Sequence, residues 1–183
     1  MPDLLLTNTL ASYGTLVLLV ATALILAILA YARIPDSLSR PLARYGLLAA
    51  FFVTTLASAV TLYYSEVLGQ APCSLCWLQR VFLYPQAFLF GIAYLKSDAR
   101  ITVYTTALSI VGALIALYHH AIQLGASAPV PCAATGPSCT EVLFLTWGFV
   151  SFPFMAFALF LFLIVFSVLL ETLWRKFPPA RVV

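Results

Sequence analysis

Four cysteines carry the chemistry this chain could do. Cys73 and Cys76 stand three positions apart in "GQAPCSLCWLQRVFLYPQ" (residues 69–86), with Pro72 ahead of them and Arg80 four residues after Cys76. Cys132 and Cys139 stand in "HHAIQLGASAPVPCAATGPSCTEVLF" (residues 119–144). Two close pairs allow three chemistries. They could exchange disulfides, pool four thiolates on a zinc ion, or brace two loops as inert staples. A disulfide closing only two intervening residues removes little chain entropy. Cys73–Cys76 is therefore a poor staple, and as a reactive pair it makes sense. The pattern implies no metal.

The neighbouring residues bear on reactivity. Pro72 holds Ala71 extended and can open a turn, so a helix is expected to start near Cys76 or Trp77. A thiol beside the unpaired N–H groups of a helix start favours thiolate. Arg80 falls on the same helical face as Cys76, one turn deeper. There it either snorkels to the headgroups or serves as a fixed cation for a carbonyl oxygen of a bound ligand. His119 and His120 end an apolar run, as helix-end caps or as members of a site. The Ala-, Gly-, Pro- and Ser-rich segment after them reads as a pliable loop with a short interfacial turn around Ala121–Leu124.

What positions these residues is a membrane. Of 183 residues, 63% are hydrophobic and 8% charged, against about 25% charged in a soluble domain. Apolar runs cover Tyr13–Ala32, Tyr45–Ser65, Trp77–Leu95, Ile101–Tyr118 and Val142–Leu170. A helical crossing takes about 20 residues, and the runs lack the alternation of barrel strands. The first run has no basic lead-in and is too long for a signal-peptide core, so it is expected to stay as a helix. Arg33, Arg40, Arg44, Lys96, Arg100, Arg175, Lys176 and Arg181 then fall on one side of five spans, leaving only Arg80 of the nine basic residues. Basic loops favour the cytoplasmic face, so the N-terminus and all four cysteines face outward and the C-terminus inward. Disulfides persist outside the cytoplasm. No acidic residue lies inside a run and no repeat relates the two halves, so nothing supports a transporter.

"PCSLCWLQR" at a helix start resembles the disulfide bond formation protein B family. "VPCAATGPSCTEVLFLTWGFVSFPFMAF", a close cysteine pair leading to Ser151 and Pro153, is similar to its short-loop, BdbC-like branch. The resemblance covers residues 44 to about 171. It implies an all-α, polytopic bundle in the bacterial cytoplasmic membrane, a single domain (1–183) of a four-helix core (44–171) plus one extra N-terminal helix (13–32). It further implies an oxidoreductase that takes electrons from an extracytoplasmic thioredoxin-fold oxidase (DsbA- or BdbD-like) and passes them to a membrane quinone, ubiquinone or menaquinone. By position, Cys132 would form the mixed disulfide with the partner, Cys73 would exchange with the loop pair, and Cys76 would face the quinone. Arg80 matches the family's quinone-site arginine, and either His119 or His120 its quinone-proximal histidine. The extra helix and the short Cys132–Cys139 interval depart from the best-known members. No haem, Rossmann or flavin fingerprint competes, and nothing suggests nucleic acid. Two alternatives remain. One is a vitamin K epoxide reductase-like enzyme, which usually places its loop pair before its Cys-x-x-C. The other is a non-enzymatic membrane subunit with structural disulfides.

Overall fold

The structure is a computed structural model, and it describes residues 2–31, 34–98, 100–127 and 137–177. Five α-helices run through them: α1 (Pro2–Tyr31), α2 (Asp36–Leu62), α3 (Ser74–Lys96), α4 (Ile101–Gln123) and α5 (Phe152–Lys176). One π-helical turn, Tyr63–Val67, continues α2. Among the described residues the only β pairing is an isolated bridge between Thr146 and Val150. The chain is an all-α, multi-pass membrane bundle.

Helix ends follow local chemistry. Asp36 in the first turn of α2, and Arg175 with Lys176 in the last turn of α5, complement the helix dipoles. Ser97 takes the left-handed conformation (φ 48°) that stops α3. α5 starts ten residues later than the apolar run beginning at Val142 suggests. Trp147 (φ 52°) and Gly148 (φ 79°) turn the chain back first, and Pro153 then opens the helix behind Ser151. α4 runs through to Gln123, so Ala121–Leu124 is the end of that helix rather than a separate turn.

α1, α2 with its π turn, α4 and α5 are each long and apolar enough to cross a membrane. α3 is long enough, about 35 Å at 1.5 Å per residue, but its composition is more polar. The reason lies in its buried face, where Gln79, Arg80 and Gln86 all point inward. Gln86 accepts a hydrogen bond from Ser109 Oγ of α4 at 3.0 Å.

α2 packs on α3, α3 on α4, α4 on α5, and α5 back on α2, closing a four-helix ring, while α1 lies outside it against α5. α5 supplies the largest share of the core, with Phe160, Leu163 and Leu170 fully buried. Two glycines permit the close approach. A Cβ on Gly112 of α4 would stand 2.5–2.7 Å from the Phe160 ring, and one on Gly46 of α2 would run into Leu170. The basic loops gather at one end of the ring, where Lys176 pairs with Asp36 at 3.2 Å. At the other end lie the π turn, the start of α3, the end of α4 and the segment ahead of α5.

Candidate redox-active thiol site

Cys73 is the residue that caps α3. Its backbone is extended (φ −71°, ψ 171°) and its Sγ accepts the Cys76 N–H at 3.3 Å. The helix thus begins at Ser74, two or three residues ahead of the start near Cys76 or Trp77 expected from Pro72. It is Cys73, rather than Cys76, that takes the N-cap and its unpaired N–H groups. The two thiols are free and lie 2.9 Å apart, with Cys73 buried and Cys76 half-buried. The Cys76 thiol is the main cause that pulls the Cys73 thiol down to about 4. Burial opposes the shift; His119 and the Cys76 N–H add to it.

His119 is the buried contact between the two cysteine segments. Its Nε2 lies 3.7 Å from Cys73 Sγ and 3.2 Å from the Cys139 carbonyl oxygen. Its Nδ1 meets Gln79 Nε2 at 3.1 Å. An amide nitrogen can only donate, so Nδ1 accepts and the imidazole proton sits on Nε2. That proton is directed at the Cys139 carbonyl and at the Cys73 sulfur together. Cys139 itself is disulfide-bonded and buried, and its Sγ is 3.5 Å from Ser74 Oγ. Cys132 lies outside the described residues.

Arg80 does not snorkel. It is buried, donating to the Thr61 carbonyl at 2.7 Å and to Ser65 Oγ at 3.3 Å, with its guanidinium over the Trp77 ring at 5.1 Å. Thr61 closes α2 and Ser65 belongs to the π turn, so the irregular end of α2 is what receives the cation. Thr61 Oγ1 in turn meets Tyr84 OH at 2.9 Å. Two of five guanidinium N–H groups are engaged this way.

The structure therefore brings Cys73, Cys76, His119 and Cys139 together and sets Arg80 one turn down α3. It separates the two histidines. His120 faces Ser151 Oγ at 3.0 Å and packs on Phe154, away from the thiols. Gln79, Thr61, Ser65 and Ser74 join the site without having been expected from the sequence. A glutamine beside Arg80 within an apolar run was the one visible signal for Gln79. Cys73, Cys76 and His119 also offer three ligand atoms within 4.8 Å of one another, a set that could hold a metal ion.

The chain matches the family described as Disulfide bond formation protein DsbB over residues 43–170. It is 42% identical over 113 residues to a probable disulfide formation protein C of Bacillus cereus, covering 61% of this chain and 81% of that one. It is 38% identical over 135 residues to a probable disulfide formation protein of Metapseudomonas resinovorans, covering 73% and 92%. With disulfide bond formation protein C of Bacillus subtilis it shares 35% over 127 residues, covering 68% and 91%. No solved structure matches it. A match across four of five helices, carrying both cysteine segments and the buried arginine between them, places this chain in the DsbB family of disulfide bond formation proteins.

Proposed function

We propose that this protein is a thiol:quinone oxidoreductase of the bacterial cytoplasmic membrane, with its cysteines outward. It reoxidises an extracytoplasmic thioredoxin-fold oxidase and passes the electrons to a membrane quinone. The observation that carries the reading is the meeting of a free vicinal dithiol, a disulfide-bonded cysteine and one imidazole at a single helix end.

Disulfide exchange proceeds by thiolate attack through mixed disulfides. A thiolate of the reduced partner opens the loop disulfide at Cys132, and the partner's second thiolate resolves that bond. The partner leaves oxidised and the loop pair reduced. Cys139 then attacks Cys73 of the oxidised helix pair, releasing Cys76, and Cys132 resolves the Cys139–Cys73 bond. Two electrons have now moved to Cys73 and Cys76. His119 Nε2–H, already directed at Cys73, stabilises the thiolate that leaves. Ser74 Oγ is within reach of Cys139 Sγ for the same purpose.

The residues present fit a quinone headgroup. Arg80 keeps N–H donors beyond those used on Thr61 and Ser65, Trp77 beside it is half-exposed, and Cys76 is the less buried thiol. A quinone, when bound, supplies the two-electron acceptor. Arg80 orients its carbonyl oxygen and favours negative charge there, while the apolar helix ends exclude water.

The test is anaerobic reduction of added quinone by purified protein supplied with a reduced thioredoxin-fold partner. We expect turnover with the wild-type chain and none with Cys73→Ala. Cys132→Ala/Cys139→Ala should lose turnover with the partner. Full turnover by that double variant would overturn the relay, and absence of any quinone reduction would leave a membrane subunit with structural disulfides.

A further inference from the structure

The hydrogen-bonded donors around Cys73 also stand near the spacing of a metal site. Zinc–sulfur bonds of about 2.3 Å and zinc–nitrogen bonds of about 2.0 Å set tetrahedral edges of about 3.5 Å between S and N, and about 3.8 Å between two S atoms. An N···O edge comes to about 3.3 Å with oxygen ligands at about 2.0 Å. In the structure Cys73 Sγ is 3.7 Å from His119 Nε2, and His119 Nε2 is 3.2 Å from the Cys139 carbonyl oxygen. Both edges are already close to tetrahedral values. The Cys73–Cys76 pair, at 2.9 Å, must open by about 0.9 Å to reach that geometry, and the three Cys and His ligand atoms all lie within 4.8 Å of one another.

We propose that the reduced Cys73–Cys76 pair and His119 form a redox-gated site for a thiophilic cation of the zinc class, with the Cys139 carbonyl facing the fourth position. Two thiolates balance the double charge of the ion, so the neutral centre tolerates the nearby Arg80 guanidinium. Binding displaces whatever protons the two sulfurs still carry and changes no oxidation state. Oxidation of the pair to a disulfide removes both thiolates and with them the site.

Gln79 gives the imidazole the adjustment it needs. Coordination through Nε2 moves the ring proton to Nδ1, and a turned Gln79 amide presents its oxygen to that N–H from the same position. Metal-bound histidines nearly always donate the second ring N–H to such a partner. The Cys139 carbonyl, freed of the Nε2 proton, then faces the metal. None of this depends on a quinone.

Zinc titration of the full-length, detergent-solubilised Cys132→Ser/Cys139→Ser chain against a chromogenic chelator tests the proposal. These substitutions remove the other thiols and keep the residue-139 carbonyl. After reduction and anaerobic removal of the reductant, we expect one zinc per chain, and none after the Cys73–Cys76 disulfide is formed. His119→Ala should weaken binding at least 10-fold and Gln79→Leu about 10-fold, the low end for a residue orienting a ligand. Cobalt in place of zinc should give thiolate-to-metal charge-transfer bands. A second measurement uses the wild-type chain, in which zinc should protect Cys73 and Cys76 from maleimide, read by peptide mass. Absence of zinc from the reduced chain, equal zinc in the oxidised one, unchanged affinity in His119→Ala, or unprotected Cys76 would each overturn it.

Discussion

The Cys73 sulfur is a small electrostatic trap. It lies 2.9 Å from the Cys76 thiol, accepts the Cys76 N–H and faces the Nε2–H of His119, which together outweigh its burial and hold its thiol at about 4. Lowering below the ordinary thiol value means that the folded chain binds fewer protons there than the unfolded one. The resulting stabilisation is full above the unfolded value and is lost as pH falls through the folded one. Reactivity follows the same sign. In the reduced protein, alkylation of Cys73 should be flat between pH 6 and 8, where a free thiol of pKa about 8.5 rises steeply. Cys76→Ala should restore most of the pH dependence and His119→Ala a smaller part, in the order of the causes. A steep profile in the wild-type chain would contradict the trap. A hydrogen bond to a charged group is worth about 1.5–3 kcal/mol, or about 10–150-fold in a rate or equilibrium constant. Arg80→Ala should raise the apparent KM for quinone by that order. Arg80→Lys should be impaired less, since it keeps the charge and loses the fork that reaches Thr61 and Ser65 together. Exchange at the loop pair should stay near normal. An unchanged KM in folded Arg80→Ala protein would reduce Arg80 to a structural tie between α3 and α2.

At the scale of elements, the site is held by helix ends, and their spacing depends on how closely the helices meet. α4 carries His119, and α4 is drawn onto α5 where Gly112 receives the Phe160 ring. Gly112→Leu forces that ring aside and should cost about 1–3 kcal/mol, the usual range for overpacking. It should also displace His119 relative to Cys73. Thermal unfolding in detergent checks the first effect, and a steeper Cys73 alkylation profile checks the second. Gly112→Leu/Phe160→Ala should recover part of the stability, because the substituted side chain then has room. The π turn after α2 has a comparable part in placing Ser65 beside Arg80. α1 reaches the same end from outside the ring, where Asn8 accepts from Tyr64 OH at 2.7 Å and Ser12 donates to Thr146 Oγ1 at 3.1 Å. The extra helix thus ties both the π turn and the segment that leads into α5.

For the whole molecule, the two ends of the bundle differ in chemistry. The basic loops and the ion pairs Arg175–Glu171 and Lys176–Asp36 occupy one, and the thiols, the histidines and Arg80 the other. Because basic loops are retained on the cytoplasmic side, reporter fusions after residues 36, 70, 98, 128 and 178 should read inside, outside, inside, outside, inside. The same compartment at 36 and 70 would remove the five-span topology, and with it the outward placing of Cys73 and Cys76. The same five-span expectation sets the N-terminus and C-terminus on opposite faces, which the fusions near residues 36 and 178 also test.

Composition, apolar runs and loop charges determined the membrane class, the helical bundle and the two-ended arrangement. These properties are local sums over the chain, and lipid leaves little choice but helices with satisfied backbones. The vicinal thiols and Arg80 were legible for the same reason, being rare side chains in apolar surroundings. Only the tertiary structure decided between the histidines. They are neighbours in sequence but point about 100° apart on a helix of 3.6 residues per turn, so packing of α3 against α4 turned His119 to Cys73 and left His120 to Ser151. It likewise decided that Arg80 is buried, because its partners Thr61 and Ser65 come from another helix. The start of α5 was hidden in an unbroken apolar run, since the turn at Trp147 and Gly148 leaves hydrophobicity unchanged. Contacts between residues distant in the chain have no periodicity to read, and the site is made of such contacts.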